Sequence, residues 1–279
     1  MSRIVQGMQN TTSSELTIAL DRRPDVDTYL QDIRSEGERF ASIAEAGPFD
    51  VPIDACPGWD MRELVIHVGL VHLWAATNIV FPSERWLSVD DFSDLQRYWP
   101  DYASERPGDE RLISWYRSTV ANLVDVIEAM PEDHECLTFL PAPSPLVMWA
   151  RRQASEIAVH RCDAEVARGV VPHVEPDFAS DMLDELVCGF ATRMRAGRLD
   201  RDRVLHVSAD DVGDDYLITL SPSGLTVAAD AGPADLRVSG SVADLYLLLW
   251  NRDAGPTVVF DGDATVLDDW SEACRIEWI

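Results

Sequence analysis

The sequence predicts a multidomain α plus α+β protein: an N-terminal four-helix bundle followed by a small α+β domain. Two observations carry this. Four long stretches with helical apolar periodicity lie between Asp27 and Arg168. After Pro172 and Pro176, short β-branched or alternating runs mix with shorter helical patterns. Strands segregated from helices in this way suit an α+β arrangement. A chain of 279 residues accommodates two ordinary domains and a core that needs no disulfide staples. The expected division is a flexible leader over residues 1–24, a bundle over 25–172 and an α+β domain over 173–279. The leader is polar and Ser/Thr-containing apart from Leu16–Leu20.

The first helix is expected from about Asp27 to Ala46, stopped by Gly47. The second follows Pro57-Gly58-Trp59-Asp60, where Asp60 caps and Glu63, three residues on, completes a capping box. It runs through Leu64, His67, Val71 and Trp74 to about Val80. The third starts near Asp109, runs through Trp115, Leu123 and Ile127, and stops at Met130 before Pro131. The fourth has Ser144 as N-cap and Pro145 at its first position, and ends near Arg168 with Gly169 behind it. A long connection over 82–107 carries Pro, Trp and Asp, and loops of that length are usually functional or cover something. Beyond the boundary a fifth helix fits Phe178–Ala196. Strands fit Val204–Ser208, Tyr216–Ser221, Leu225–Ala229 and Leu236–Ser239. A helix over Val242–Trp250, a strand over Thr257–Phe260 and a helix over Ala264–Cys274 complete the chain.

Composition excludes several classes of function. The formal net charge is −26, and all 23 basic residues are Arg. Phosphate backbones need a basic face, so no nucleic-acid partner is expected, and an anionic membrane surface is disfavoured for the same reason. Without lysine, no Schiff base or P-loop lysine is available. The five cysteines (Cys56, Cys136, Cys162, Cys188 and Cys274) are odd in number and none are spaced CxxC, so neither a disulfide framework nor a zinc finger is expected. No stretch reads as a membrane span or a signal peptide, which makes a reducing cytoplasm the expected compartment.

One constellation carries chemistry. His67 shares a stripe with Leu64, Val71 and Trp74 at spacings of three and four, which is the core-facing side of the second helix. On the fourth helix Glu156 and His160 are four residues apart, about 40° around the axis, on a stripe with Trp149 and Gln153. Two helices thus point imidazole and carboxylate groups toward a bundle interior. A buried Glu needs a partner, a proton or a metal. Two neutral imidazoles and a carboxylate make a three-ligand set for Zn²⁺ or another divalent ion, with a fourth position open. Spacing alone also fits a helix-surface Glu/His pair and a core histidine with a satisfied hydrogen bond.

The stretch Cys56-Pro57-Gly58-Trp59-Asp60-Met61-Arg62-Glu63-Leu64-Val65-Ile66-His67 resembles the C-P-G-W-[T/S]-x-x-[D/E]-L-x-x-H signature of the mycothiol-dependent maleylpyruvate isomerase family, one of the DinB-like metal-binding helical bundles. Glu156-Ile157-Ala158-Val159-His160-Arg161-Cys162-Asp163-Ala164 resembles its second signature, E-x-x-x-H-R-x-D-x. The segment Gly240–Arg252 looks like its C-terminal domain, which is related to the sterol-carrier-protein fold. Asp60 stands where the family more often has Thr or Ser, and either caps a helix. The resemblance implies His67, Glu156 and His160 as ligands of one divalent metal, usually zinc, and mycothiol as thiol cosubstrate. It also implies arginines that hold substrate carboxylates. Arg237 and Arg252 of the C-terminal domain are the candidates, with Arg85 of the long loop behind them.

A metal with an open position lowers the pKa of a bound thiol. The thiolate then attacks an electrophilic small molecule, either in cis-trans isomerisation of a maleylpyruvate-like enone or in S-transfer. A non-catalytic small-molecule binding protein that keeps the bundle is the alternative, and a metal-dependent hydrolase a third. The expected partners are a small-molecule substrate and a low-molecular-weight thiol, in a monomer or homodimer. Among the cysteines, Cys162 lies about 200° around the helix from His160 and faces away, while Cys56 is read as structural near the site mouth. His72 is about 140° from His67 and points elsewhere, and His134, His173 and His206 have no assigned role. Trp59 and Trp74 are read as packing residues rather than substrate platforms, and Asp210, Asp211, Asp214 and Asp215 as a solvated turn.

Overall fold

The structure is a computed structural model that describes residues 24–81, 83–87, 107–193, 199–229 and 232–274. The expected leader and most of the 82–107 connection lie outside them. The chain divides into two compact units, the first ending at Pro172 and the second beginning at His173.

Among its described residues the first unit has four long helices. α1 (Val26–Glu45) opens on Asp25, whose side chain accepts from the Thr28 amide at 2.9 Å. Its apolar face buries Tyr29, Leu30, Ile33, Phe40, Ala41 and Ala44. α2 (Met61–Val80) opens on the expected capping box: Asp60 accepts from the Glu63 amide at 3.0 Å, and Glu63 accepts from the Asp60 amide at 2.9 Å. α3 (Asp109–Ala129) stops at Met130, ahead of Pro131. α4 (Pro145–Ala167) starts on Ser144, which accepts from the Val147 amide, and Gly169 follows with φ 72°, a left-handed conformation that suits a residue without Cβ. α1 packs on α4 and α2 on α3, and α2 also meets α4. α4 is buried from Leu146 to Glu165, so each of its polar side chains must find its partner inside the protein.

One reading needs correction. α2 is long and apolar enough, by length and composition, to cross a membrane. It is nevertheless a core helix, with 72 % of its most apolar window buried.

The second unit is a five-stranded mixed sheet with helices. α5 (Pro176–Asp184) is shorter than the single helix expected over Phe178–Ala196. The winding widens to a π-type stretch over Glu185–Phe190 and tightens to a 3₁₀ turn over Ala191–Arg193. Gly189 lies inside the altered stretch and offers no side chain to brace a regular turn. The strands are β1 (Arg203–Ala209), β2 (Asp214–Ser221), β3 (Gly224–Ala228), β4 (Leu236–Gly240) and β5 (Val259–Gly262), in spatial order β3-β2-β1-β4-β5. Only β1 and β4 run parallel, with Leu205 opposite Leu236 and Val207 opposite Val238. Leu205, Val207, Ile218, Leu220, Leu236 and Val238 form the buried alternation. α6 (Val242–Leu249) and α7 (Thr265–Ala273) both pack on β1.

β5 begins two residues later than expected. The Thr257 hydroxyl and amide are both taken by Asp244, at 2.5 and 3.0 Å, and Ser241 donates its amide to the Thr257 hydroxyl at 2.9 Å. Thr257 is therefore spent on the start of α6, and ladder pairing starts at Val259. The acidic turn is only partly solvated. Asp211 caps the Val242 amide, Asp214 accepts from Ser180, and Asp215 binds His206 at 2.8 Å.

Candidate metal centre

The site begins at the turn before α2. Pro57 and Gly58 occupy the centre of a four-residue turn closed by the Trp59 amide on the Cys56 carbonyl at 3.0 Å. Gly58 has φ 88°, the left-handed conformation a type II turn demands at its third residue. The turn is anchored where Ile53 donates to the Trp59 carbonyl at 2.9 Å and Met61 to that of Val51 at 2.9 Å. It delivers the Trp59 ring to 4.8 Å from the His67 ring.

His67, Glu156 and His160 converge as expected. Glu156 Oε1 stands 3.3 Å from His67 Nε2 and 3.4 Å from His160 Nε2, and the two imidazoles meet almost at right angles, 5.2 Å apart. The three potential donor atoms lie within 4.8 Å of one another. Ligands about 2.1 Å from a tetrahedral zinc stand about 3.4 Å apart, so the separations fit such an ion and leave one position open. The His67 side chain is 13 % exposed and Glu156 and His160 about 5 %, so the trio opens on the His67 side.

Two residues hold the trio in this pose. Arg152, one turn before Glu156, donates to Glu156 Oε2 at 2.7 Å and leaves Oε1 to the imidazoles. Asp163 Oδ2 accepts from His160 Nδ1 at 2.9 Å, which points the other nitrogen at Glu156. Cys56 stands behind this pair, its Sγ 4.0 Å from Asp163 Oδ2. Spacing missed Arg152 because an Arg/Glu pair four residues apart is ordinary on any exposed helix; only its burial distinguishes this one.

Burial dominates the electrostatics. It pushes the His67 imidazole down, and the charge of His160 adds to that, against an opposite pull from Glu156. Burial raises the Glu156 carboxyl, but His160, His67 and Arg152 together hold it well below the usual carboxylate range. Burial lowers His160, but Asp163, Cys56 and Glu156 outweigh it and hold the imidazole well above its ordinary value. Cys162 is buried, with its thiol pushed up to about 12 by desolvation. It has none of the thiolate character that catalysis requires.

The remaining candidates have other surroundings. Arg237 is exposed on β4, opposite Asp261 of β5, and Arg252 follows α6 with Nη1 donating to the Trp250 carbonyl at 2.6 Å. Both belong to the second unit. Arg85 is exposed and donates to the Trp86 carbonyl. His72 turns to Thr119 of α3, His134 to the Ile79 carbonyl, His173 to Glu175 and His206 to Asp215.

Further along the α2–α4 seam, Trp74, Trp86, Phe139 and Trp149 form an aromatic cluster, with Trp74 and Trp149 ring centres 5.0 Å apart. Between the trio and these rings lies Gln153, fully buried, with neither amide atom hydrogen-bonded to any described residue. A buried amide left unpaired costs about 1–3 kcal/mol.

Comparison with known proteins supplies the family. No curated protein matches the chain by sequence. The crystal structure of the mycothiol-dependent maleylpyruvate isomerase has a similar fold: TM-score 0.60 and 16 % identity, over 85 % of this chain and 93 % of that one. A histidine-to-alanine mutant of that isomerase gives TM-score 0.55 and 14 % identity, over 80 % and 88 %. The family model of the mycothiol maleylpyruvate isomerase N-terminal domain matches residues 30–165, and that of the MDMPI C-terminal domain matches residues 173–269. With both of its domain models matched in order along one chain, this protein belongs to the mycothiol-dependent maleylpyruvate isomerase family.

Proposed function

We propose that the chain is a thiol-dependent cis-trans isomerase that uses mycothiol on an enone of the maleylpyruvate type, with a divalent ion, Zn²⁺, held by His67, Glu156 and His160. The observation that carries this is the convergence of two Nε2 atoms and one carboxylate oxygen at 3.3 and 3.4 Å inside a bundle of this family. A divalent ion bound there lowers the pKa of a thiol and so supplies thiolate near neutral pH.

The chain's own residues do the positioning. Arg152 neutralises the carboxylate oxygen that faces away from the imidazoles, and Asp163 fixes the His160 ring. The closed side of the trio excludes water, while the His67 side admits thiol and substrate. In the reaction the thiolate sulfur bonds to the β-carbon of the enone, and the π pair moves to the carbonyl oxygen as an enolate. The former double bond rotates. The enolate then reforms the carbonyl, the C–S bond breaks, and thiolate leaves unchanged. Arg237 and Arg252 are proposed to hold substrate carboxylates, as planar guanidinium forks do. The second unit is proposed to be a sterol-carrier-like domain.

Metal content and thiol balance test the reading. Purified untagged protein is expected to carry about one divalent ion per chain, lost in Glu156→Ala and His160→Ala. Maleylpyruvate is expected to isomerise only with mycothiol present, at constant thiol concentration. Protein that stays metal-free after reloading with zinc would overturn the metal site, and stoichiometric loss of thiol would replace isomerisation by S-transfer.

A further inference from the structure

We propose that the α2–α4 seam carries a substrate subsite for an enone bearing a flat apolar group, such as an aryl ring, in place of one carboxylate. The Gln153 amide would grip its carbonyl, and Trp74, Trp86, Phe139 and Trp149 would form the wall for its ring. The inference rests on the thiol-dependent reading above and narrows its substrate class.

Position comes first. Gln153 is three residues before Glu156 and four after Trp149, about 60° and 40° around α4 from each. On α2, Trp74 follows His67 by seven residues, and its ring meets that of Trp149 at 5.0 Å. The seam therefore has the ligand trio at one level, the Gln153 amide one turn on, and the rings about 10.5 Å along the axis from the trio. A conjugated molecule with a phenyl end spans that distance.

Access comes second. Past its first turn and before Val80, the α2 positions that are not buried are His67, Leu70 and Trp74, spaced three and four apart. They make one partly exposed stripe from the candidate metal centre to the rings. Trp86 and Phe139 are half-exposed as well. The Trp74 and Trp149 indole N–H groups are already spent on the Leu87 and Leu137 carbonyls, at 2.8 and 3.0 Å. What these two rings offer a ligand is carbon surface.

Polarity comes third. Gln153 is fully buried, and both its amide nitrogen and its oxygen lack a partner among the described residues. A buried amide can donate and accept at once, and its N–H suits a ketone oxygen. The neighbouring guanidinium, Arg152, is tied to Glu156 at 2.7 Å, so it does not present itself to a second carboxylate.

Two ligands that differ by one carbonyl make the test: trans-2-oxo-4-phenylbut-3-enoate and trans-4-phenylbut-3-enoate, titrated calorimetrically into zinc-loaded protein without thiol. Wild type is expected to prefer the keto ligand. Gln153→Leu is expected to cut keto-ligand affinity about tenfold, the worth of one buried hydrogen bond, and to leave the other ligand unchanged. It is also expected to raise the melting temperature, because the unpaired amide is gone. Trp86→Ala is expected to weaken both ligands about equally. Failure of the keto ligand to bind wild type, or equal keto preference in wild type and Gln153→Leu, would overturn the subsite. Maleylpyruvate turnover with mycothiol is read in parallel on wild type. Its absence would sink the isomerase reading while the binding data still judge the subsite.

Discussion

His72 shows what burial does to an imidazole with no counter-charge beside it. The Thr119 hydroxyl donates to the Tyr116 carbonyl at 2.8 Å, so it accepts from His72 Nδ1–H at 3.0 Å. The Nε2 lone pair is left buried, with no partner among the described residues. Desolvation pushes this imidazole down to about 3. Below its unfolded value near 6.5, the unfolded chain binds a proton that the native chain refuses, so stability falls as pH drops from about 6.5 and the loss saturates near 3. By pH 5 the loss is on the order of 2 kcal/mol. His72→Leu is expected to flatten the stability curve between pH 6.5 and 4, followed by urea midpoints at constant ionic strength; parallel curves for the two proteins would refute this account. The direction of His72 was legible in the sequence, because 140° from His67 points it away from the seam. So was the ligand trio, because two periodic stripes fix which residues face inward. The unpaired state of Gln153 was not, since periodicity says where an amide points and nothing about what meets it.

At the scale of elements, α4 carries the heaviest electrostatic load. Arg161 is fully buried and pairs with Glu36 of α1 at 2.5 Å and with Glu165 one turn on. Arg39 closes the group, 2.9 Å from Glu36 and 3.6 Å from Glu165. This network joins α1 to α4 next to His160 while keeping clear of the trio. Removing the central cation leaves two buried carboxylates short of a partner, which costs about 3–5 kcal/mol. Arg161→Met is therefore expected to lower the free energy of unfolding in urea by that amount and still take up one zinc ion below the transition. A free energy within about 1 kcal/mol of wild type would show that the network behaves like an exposed ion pair. Helix starts were legible to within a residue or two because caps and prolines are local chemistry. The end of α5 was not, because the winding changes within the helix, and neither was β5, whose limit depends on a contact made far along the chain. β5 is displaced by Thr257, whose side chain is committed to Asp244 thirteen residues earlier, and no period-2 pattern records such a commitment.

The whole molecule sets its site against its own charge. A chain of net charge −26 repels an anionic substrate at long range, although salt at physiological strength screens this beyond about 8 Å. Capture of a carboxylate therefore falls to guanidinium groups, and the proposed ones, Arg237 and Arg252, stand after residue 172. All three candidate ligands and their supports Arg152, Asp163 and Cys56 stand before it. The two units are thereby proposed to divide the labour, metal in one and carboxylate recognition in the other. A chain ended at Pro172 separates the two. The fragment is expected to fold with its helical circular dichroism intact and to hold zinc at the same stoichiometry as the full chain, because its donor set is complete. Maleylpyruvate turnover with mycothiol is expected to be lost, and Arg237→Ala and Arg252→Ala in the full chain are expected to raise KM more than they lower kcat. A folded fragment that turns over maleylpyruvate as the full chain does would place carboxylate recognition inside the bundle. A folded fragment without zinc would mean that the trio depends on the second unit for its shape.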